Sequence, residues 1–361
     1  MNDLAAIKQE CIQLLKALVQ TPSFSGAEEK TAALIRDFLE QHGVTTHGLM
    51  NNVWCTNRHF DPALPAILLN SHHDTVKPNA GYSVDPFGGF ETGGKIVGLG
   101  SNDAGASLVS LVAAFLFFYN TPHLRYNLVL AASAEEETSG PNGISALLPQ
   151  LPVIDCALVG EPTQMQMAVA ERGLLVLDVH SSGRAGHAAR EEGENAIYRA
   201  LKDVDWFRSY AFEKVSDLLG PVKMTVTAIE TANKAHNVIP SECRFVVDIR
   251  INELYTHEAV IETIRKHVSS EVKPRSCRLR SSMIALDHPL VKAGLQLGRS
   301  YYGSPTASDK ALMPFPALKM GPGDSARSHT ADEFIHIHEI EEGIDLYIAL
   351  LERVLKDSGN S

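Results

Sequence analysis

Apolar residues in the first part of the chain repeat at two different spacings. Apolar positions three and four residues apart recur over 4–18 and again over 31–39, which predicts two opening helices. Short apolar runs at 66–69, 128–132 and 157–159 are bounded by polar or turn residues and separated by helical stretches. Strands that alternate with helices in this way predict an α/β sheet.

The pattern changes after residue 171 and returns to its first form near residue 287. Between them it predicts an α+β module with three strands and two helices, at 174–179, 224–229, 244–251, 195–210 and 258–268. The chain then ends in an apolar-periodic helix at 340–355. We therefore predict an α/β catalytic domain with a mixed sheet flanked by helices, formed by 1–171 and 287–361 and interrupted by a smaller α+β lid domain at 172–286.

Composition narrows the class of protein. The 361 residues carry a formal net charge of -11 without a clustered Lys/Arg face, which argues against a nucleic-acid partner. The most apolar segment, 104–119, is shorter than the roughly 20 residues that cross a bilayer, and the charged N-terminus is unlike a secretory signal, so we predict no membrane association. Five scattered cysteines without a Cys-x-x-Cys pair favour reduced thiols and a cytoplasmic location.

Residues with metal-binding chemistry follow the predicted strands. His72 ends the first of these strands, and Asp74 is placed to hold the second nitrogen of its imidazole. His73 is expected to face the other way, because neighbouring side chains on a strand alternate. A polar strand end is the alternative interpretation of this segment.

Acidic residues follow the next two strands. The run Glu135–Glu137 brings three like charges together, which either marks a metal ligand beside a general base or a solvated acidic turn. Glu161 is a further acid at a strand end. Because ligand sites of α/β sheets lie outside the carboxyl ends of the strands, these positions favour a functional site.

Two more candidates lie in glycine-rich segments. Asp103 stands immediately before the apolar helix, where its two oxygens could bridge two cations or its side chain could cap the helix. His329 lies in a loop with Glu333 nearby as a candidate orienting residue. Two histidines with several carboxylates form the mixed N/O ligand set of hydrolytic zinc sites.

The chain resembles the dinuclear zinc aminoacylases and carboxypeptidases, a family that includes acetylornithine deacetylase, succinyl-diaminopimelate desuccinylase and glutamate carboxypeptidase. The resemblance covers nearly the whole chain and rests on an ordered set of motifs: SHHDT, GSND, EEETSG, GEPT, GRAGHAA, NVIPSE, VDIR and GPGDSARSHTADE. It implies a zinc-binding α/β domain interrupted by a lid that commonly forms a homodimer. It also implies two divalent ions, Zn2+ in the first place and Co2+ or Mn2+ as alternatives.

The resemblance implies a role for each metal-centre residue. Asp103 bridges the two ions, and a cis peptide bond is expected to follow it. The other ligands are His72 and Glu161 on one ion, and Glu137 and His329 on the other. Asp74 orients His72, and Glu136 is the general base. Because the family usually has Asp-Glu-Glu where this chain has Glu135–Glu137, a register one residue away stays open.

Three lid residues match the substrate-contacting positions of the family. His187 resembles the histidine that reaches the substrate carbonyl, often from the partner subunit. Asn237 and Arg250 resemble residues that hold the substrate, with Arg250 binding an α-carboxylate by a bidentate pair. The alternatives are a turn-forming Asn237 and an ion pair of Arg250 with Asp248 or Glu253.

The activity implied is hydrolysis of the amide bond of a small N-acyl amino acid, with an acetyl or succinyl group on ornithine, citrulline or a similar amino acid. A metallo-dipeptidase or aminopeptidase of the same fold is the alternative within this class. A catalytically inactive binding protein is the alternative from a different class.

Overall fold

The computed structural model describes residues 4–190 and 192–356, which form two compact units. Within the described residues, the first unit comprises 4–169, 284–302 and 308–356, and the second comprises the rest. The second unit is inserted into the first along the chain, and residues 303–307 pack with the second unit, whereas the sequence division placed them in the first domain.

The helices and strands agree with the hydrophobic pattern. The helices are α1 (Leu4–Val19), α2 (Glu29–Gln41), α3 (Ala106–Phe118), α4 (Ile144–Leu147), α5 (Ala196–Ser209), α6 (His257–His267), α7 (Pro289–Gln296) and α8 (Ile337–Leu355). The strands are β1 (Thr46–Leu49), β2 (Asn52–Thr56), β3 (Ala66–His72), β4 (Phe90–Thr92), β5 (Lys95–Val97), β6 (Asn127–Ser133), β7 (Ile154–Val159), β8 (Met167–Glu171), β9 (Gly173–Ser182), β10 (Gly186–His187), β11 (Lys223–Glu230), β12 (Val238–Ile239), β13 (Glu242–Ile251), β14 (Glu271–Pro274), β15 (Ser282–Met283), β16 (Tyr301–Ser304), β17 (Ala317–Lys319) and β18 (Phe334–His336). Every helix and strand predicted above is present, with its ends moved by no more than three residues.

The first unit is built on a mixed sheet whose centre is parallel. Its strand order is β1-β2-β6-β3-β7-β17-β8, and β6, β3, β7 and β17 run parallel to one another. Strands β3 and β6 are buried along their whole length, as central strands covered on both faces should be. The carboxyl ends of these parallel strands therefore meet at one edge of the sheet, which confirms the α/β fold class and places the loops after them together.

Helix α3 lies in the core of this unit. All of its side chains except that of Phe117 are buried, because its sequence is apolar on every face. The helical stretch Ser101–Phe118 is long and apolar enough by composition to cross a membrane, yet 89% of it is buried inside the protein. That burial identifies it as a core helix. Asp103, near the start of this stretch, is one of the candidate site residues.

The second unit is an antiparallel sheet with helices on one face. Its strand order is β11-β13-β9-β14, and alternate residues of β9 and β13 point into a core shared with α5 and α6. Both helices begin at a side chain that caps them, since Asn195 accepts from the Ile197 amide and Thr256 from the Ala259 amide. The opposite face of the sheet carries the polar residues of the same strands.

Candidate metal centre

The predicted ligands of the first unit converge at the carboxyl edge of its sheet. His72 is the last residue of β3, the pair Glu136 and Glu137 follows β6, and Glu161 follows β7. Asp103 lies in the turn Ser101–Gly105 that leads into α3, where its backbone angles are not helical (φ -117°, ψ 98°), and the peptide bond between it and Ala104 is cis, as the resemblance implied.

One group of side chains surrounds the Nε2 atom of His72. This atom lies 3.4 Å from Asp103 Oδ1, 3.8 Å from Glu161 Oε1 and 3.9 Å from Glu136 Oε2. The other ring nitrogen, Nδ1, is 3.0 Å from the backbone carbonyl oxygen of Asp74 and 3.4 Å from its Oδ1. A proton held at Nδ1 by these oxygens leaves the Nε2 lone pair directed at the carboxylates, as a metal ligand requires.

A second group surrounds the Nε2 atom of His329. This atom lies 3.0 Å from Glu137 Oε2 and 3.6 Å from Asp103 Oδ2. Asp103 therefore directs one oxygen toward each imidazole, which is the geometry of a carboxylate between two cations. Potential ligand atoms of His72, Asp103 and Glu137, and those of His72, Glu136 and Glu161, lie within 4.8 Å of one another in each set. These nitrogen and oxygen donors fit a pair of divalent ions of the zinc type.

Asp74 organises both sides of the centre. Besides facing His72, its Oδ1 accepts from the amide of Glu136 (3.0 Å) and its Oδ2 from the amide of Glu137 (3.1 Å). The Ser25 hydroxyl also donates to Oδ2, at 2.6 Å. Burial by itself raises the pKa of Asp74, but the bonds from His72, Ser25 and Glu137 outweigh it and hold that pKa below its usual value.

The electrostatics of the centre favour positive charge. Burial raises the pKa of Glu136 well above its usual range, and Glu161, Asp309 and Glu137 raise it further against the opposing effect of His72. Burial by itself lowers the pKa of His72, yet its neighbouring carboxylates bring that pKa well above the usual value. So many acids around two imidazoles are stabilised by protons or by divalent cations.

The sequence profile of peptidase family M20/M25/M40 matches residues 68–353. The chain belongs to this family. Among its M20 relatives, it is 28% identical to succinyl-diaminopimelate desuccinylase of Paracoccus denitrificans, over 72% of this chain and 73% of that protein. It is 26% identical to N-acetyl-L-citrulline deacetylase of Xanthomonas campestris, over 81% and 82% of the two chains. These similarities confirm that the chain is a hydrolase of the family recognised from its motifs.

Two solved structures share the fold. An aminopeptidase from Bacillus cereus superposes with a TM-score of 0.77 at 19% identity, covering 96% of this chain and 98% of its own. A dinuclear metal-binding M20 peptidase from Bacillus subtilis gives 0.72 at 16% identity, covering 97% and 98%. At these identities the likeness establishes the fold, in agreement with the mixed sheet and flanking helices.

The remaining residues near this M20 centre hold loops in place. His73 faces away from the centre as expected, with Nδ1 2.9 Å from Thr31 Oγ1 and Nε2 3.0 Å from the Asn51 carbonyl. The hydrogen bond to Glu137 is the main cause that raises the pKa of His329, and the charge of Glu333 adds to it. The Glu333 carboxylate accepts from the amides of Asn102 and Asp103, at 2.9 Å each, and so fixes the turn that carries Asp103.

Two buried acids lie close to the centre and were absent from the sequence prediction. Asp309 is 3% exposed and accepts a 2.6 Å hydrogen bond from Ser133, the last residue of β6. Glu28 is fully buried and accepts from the amide of Glu135. Neither lies in a motif that points to chemistry, and both partners are distant in sequence, so only the folded chain identifies them.

The predicted substrate-contacting residues belong to the second unit. His187 in β10 pairs with Val238 in β12, and the Ala188 amide donates to the Asn237 carbonyl at 2.9 Å, so His187 and Asn237 are neighbours. Arg250 forms the ion pair with Asp248 that was the alternative interpretation, with Nε and Nη2 at 2.8 and 3.0 Å from the two carboxylate oxygens.

Proposed function

We propose that the protein hydrolyses the amide bond of an N-acyl amino acid with the help of two divalent ions, Zn2+ in the first place. The observation that carries this proposal is the position of Asp103, whose two oxygens face two imidazoles that each have further carboxylates at hand. A pair of cations would lower the pKa of a water between them and polarise the substrate carbonyl.

The positions of three consecutive glutamates, Glu135 to Glu137, assign a role to each of them. Glu136 lies beside His72 and does not face the second imidazole, that of His329. We therefore assign it as the general base, which accepts the proton of the attacking water and returns it to the departing amine. Glu137 faces His329 and acts as a ligand. The side chain of Glu135 instead accepts two hydrogen bonds from Asn142 at 3.0 and 2.9 Å, which supports the register inferred from the resemblance.

His187 is suited to stabilise the carbonyl oxygen as it becomes negative. Its Nδ1 accepts a 3.1 Å hydrogen bond from the Ala189 amide, so the neutral ring carries its proton on Nε2 and can donate it in a hydrogen bond. Asn237, next to it, contributes to substrate binding. These assignments extend the family resemblance to the second unit.

Arg250 is proposed to bind the α-carboxylate of the substrate. Asp248 takes the edge formed by Nε and Nη2, and Nη1 makes no hydrogen bond to any residue in 4–190 or 192–356. A guanidinium has five N–H donors, so the fork between Nη1 and Nη2 can bind a second carboxylate while Asp248 fixes its direction.

A homodimer through the second unit completes the proposal. Strand β11 is the edge of its sheet, and its Ile229 is 51% exposed. On α5, which packs against β11, Tyr198 and Leu201 are 68% and 50% exposed. An edge strand beside apolar side chains is suited to pairing with another copy. Sedimentation of the wild type as a dimer, and of Leu201→Glu as a monomer, would support this interface, and a monomeric wild type would contradict it.

We propose a cytoplasmic location, in keeping with five free cysteines.

Substrate specificity is tested by a panel of N-acetyl and N-succinyl amino acids, ornithine, citrulline and diaminopimelate among the amine parts, against dipeptides and tripeptides. Turnover of acyl amino acids that Glu136→Gln abolishes supports the proposal. Preference for peptides would favour the peptidase alternative, which the similarity to the Bacillus cereus aminopeptidase fold keeps open. Inactivity toward the whole panel would favour a binding protein.

A further inference from the structure

We infer that Glu28 is a positioning residue, which clamps the loop that carries the proposed general base Glu136 and the proposed ligand Glu137. The inference rests on the proposed function for the roles of those two glutamates. It concerns a residue outside the metal centre, at the start of α2, whose sequence surroundings give no sign of a connection to that loop.

Three consecutive amides of the loop donate to buried carboxylates. The Glu135 amide donates to Glu28 Oε1 at 3.1 Å, and the next two amides donate to the two oxygens of Asp74 at 3.0 and 3.1 Å. Asp74 is itself held by Ser25, three residues before Glu28. The segment that leads into α2 therefore fixes the loop through both acids.

Glu28 is itself held rigidly. It has no exposed surface, its Oε1 also accepts from the Gly26 amide at 2.7 Å, and its Oε2 accepts from Asn51 Nδ2 at 2.7 Å. The side chain does not cap its own helix. A buried carboxylate is costly unless hydrogen bonds satisfy it, and here one of the three donors is the loop amide.

The clamp acts where the loop turns sharply. Glu135 has a positive φ of 55°, a left-handed conformation that a residue with a side chain adopts only when its surroundings hold it. Its carbonyl accepts from the Gly140 amide at 2.8 Å, and its carboxylate binds Asn142. Because the direction of Glu136 and Glu137 follows from this turn, loss of the Glu28 bond should move both carboxylates.

Two substitutions separate the reach of the side chain from its charge. Glu28→Asp keeps the charge but is one methylene shorter, so it cannot contact Asn51 and the Glu135 amide together. Glu28→Gln keeps the length and an oxygen that can accept from the Glu135 amide, while a rotated Asn51 amide satisfies its NH2 group. The same substitutions at exposed Glu29, the next residue, are matched controls.

If Glu28 acts as a clamp, the length of its side chain should matter more for turnover than its charge. We expect Glu28→Asp to lower kcat about 10- to 100-fold with KM little changed, because small misplacements of catalytic groups have effects of this size. Glu28→Gln should retain most of the turnover, and both Glu29 variants should match the wild type. Equal kcat for Glu28→Asp and the wild type, or equal losses for Glu28→Gln and Glu28→Asp, would overturn the inference.

A second measurement does not depend on the substrate. In protein loaded with Co2+, the visible absorption reports the arrangement of ligands, so Glu28→Asp should change the spectrum and Glu28→Gln should leave it close to the wild type. If the wild type hydrolyses none of the substrates tested, the proposed function fails. The spectra alone then test whether Glu28 positions the loop. Should Glu28→Asp not fold, Asn51→Ala removes the donor that holds Oε2 and should also alter the spectrum. An unchanged Asn51→Ala spectrum would refute the clamp.

Discussion

Replacing Glu136 by Gln should abolish turnover and leave metal binding intact. Its Oε2 lies 3.9 Å from His72 Nε2, at the margin of the first group of ligands, whereas Glu137 Oε2 lies 3.0 Å from His329 Nε2. Gln has nearly the same size but cannot accept a proton at neutral pH. Loss of a general base typically lowers the rate about 100- to 10,000-fold, which is about 3 to 5 kcal/mol of transition-state stabilisation.

The neighbouring glutamates provide the comparison. Glu137→Gln removes the charge of a proposed ligand. We therefore expect metal affinity to fall by more than the roughly 10- to 100-fold that is lost when a hydrogen-bond partner of a ligand is removed. Glu135→Gln retains an oxygen for Asn142 and should have the smallest effect on both quantities. The assay is kcat together with metal content after dialysis against a graded chelator. Full metal retention by Glu137→Gln, with loss of an ion from Glu135→Gln or Glu136→Gln, would refute this register.

Three further predictions concern the surroundings of the centre. Asp74→Asn cannot satisfy both loop amides, and we expect metal affinity to fall about 10- to 100-fold in chelator competition; an unchanged affinity would contradict this. The hydrogen bond to Glu137 raises the pKa of His329 to about 9 in the metal-free protein, so metal binding should release protons at pH 7.5 and tighten as the pH rises toward 9. Calorimetry in two buffers of different ionisation enthalpy measures this proton release, and metal binding that releases no protons would refute the prediction. His187→Ala should lower kcat about 100-fold with both ions retained; if His187 acts in the partner's site, mixing this variant with Glu136→Gln should restore activity once subunits exchange.

The sequence predicts those parts of the centre that strand periodicity controls. His72 ends the buried strand β3, and Glu137 and Glu161 follow β6 and β7. Parallel strands bring their carboxyl ends to one edge, so the convergence of these residues could be expected. Asp103 and His329 lie in glycine-rich segments without a periodic signal. Their assignment came from the ordered motifs of the family, and the structure brings both to the same edge.

The contacts that support the centre could not be predicted from the sequence, and the reasons are physical. An acid at the start of a helix, such as Glu28, has the same local pattern whether it is exposed or buried, and its partner amide is 107 residues away. Asp309 meets Ser133 over 176 residues. The ion pair of Arg250 with Asp248 was foreseeable, because residues two apart on a strand share a face, but the same pattern also fits a substrate-binding arginine.

The number of ions bound per chain tests the central claim most directly. Protein saturated with zinc and freed of excess metal should contain two ions by elemental analysis, and anomalous scattering should place them on either side of the Asp103 carboxylate. A single ion, or two ions that leave Asp103 without a contact, would contradict the dinuclear centre on which the proposed hydrolysis depends.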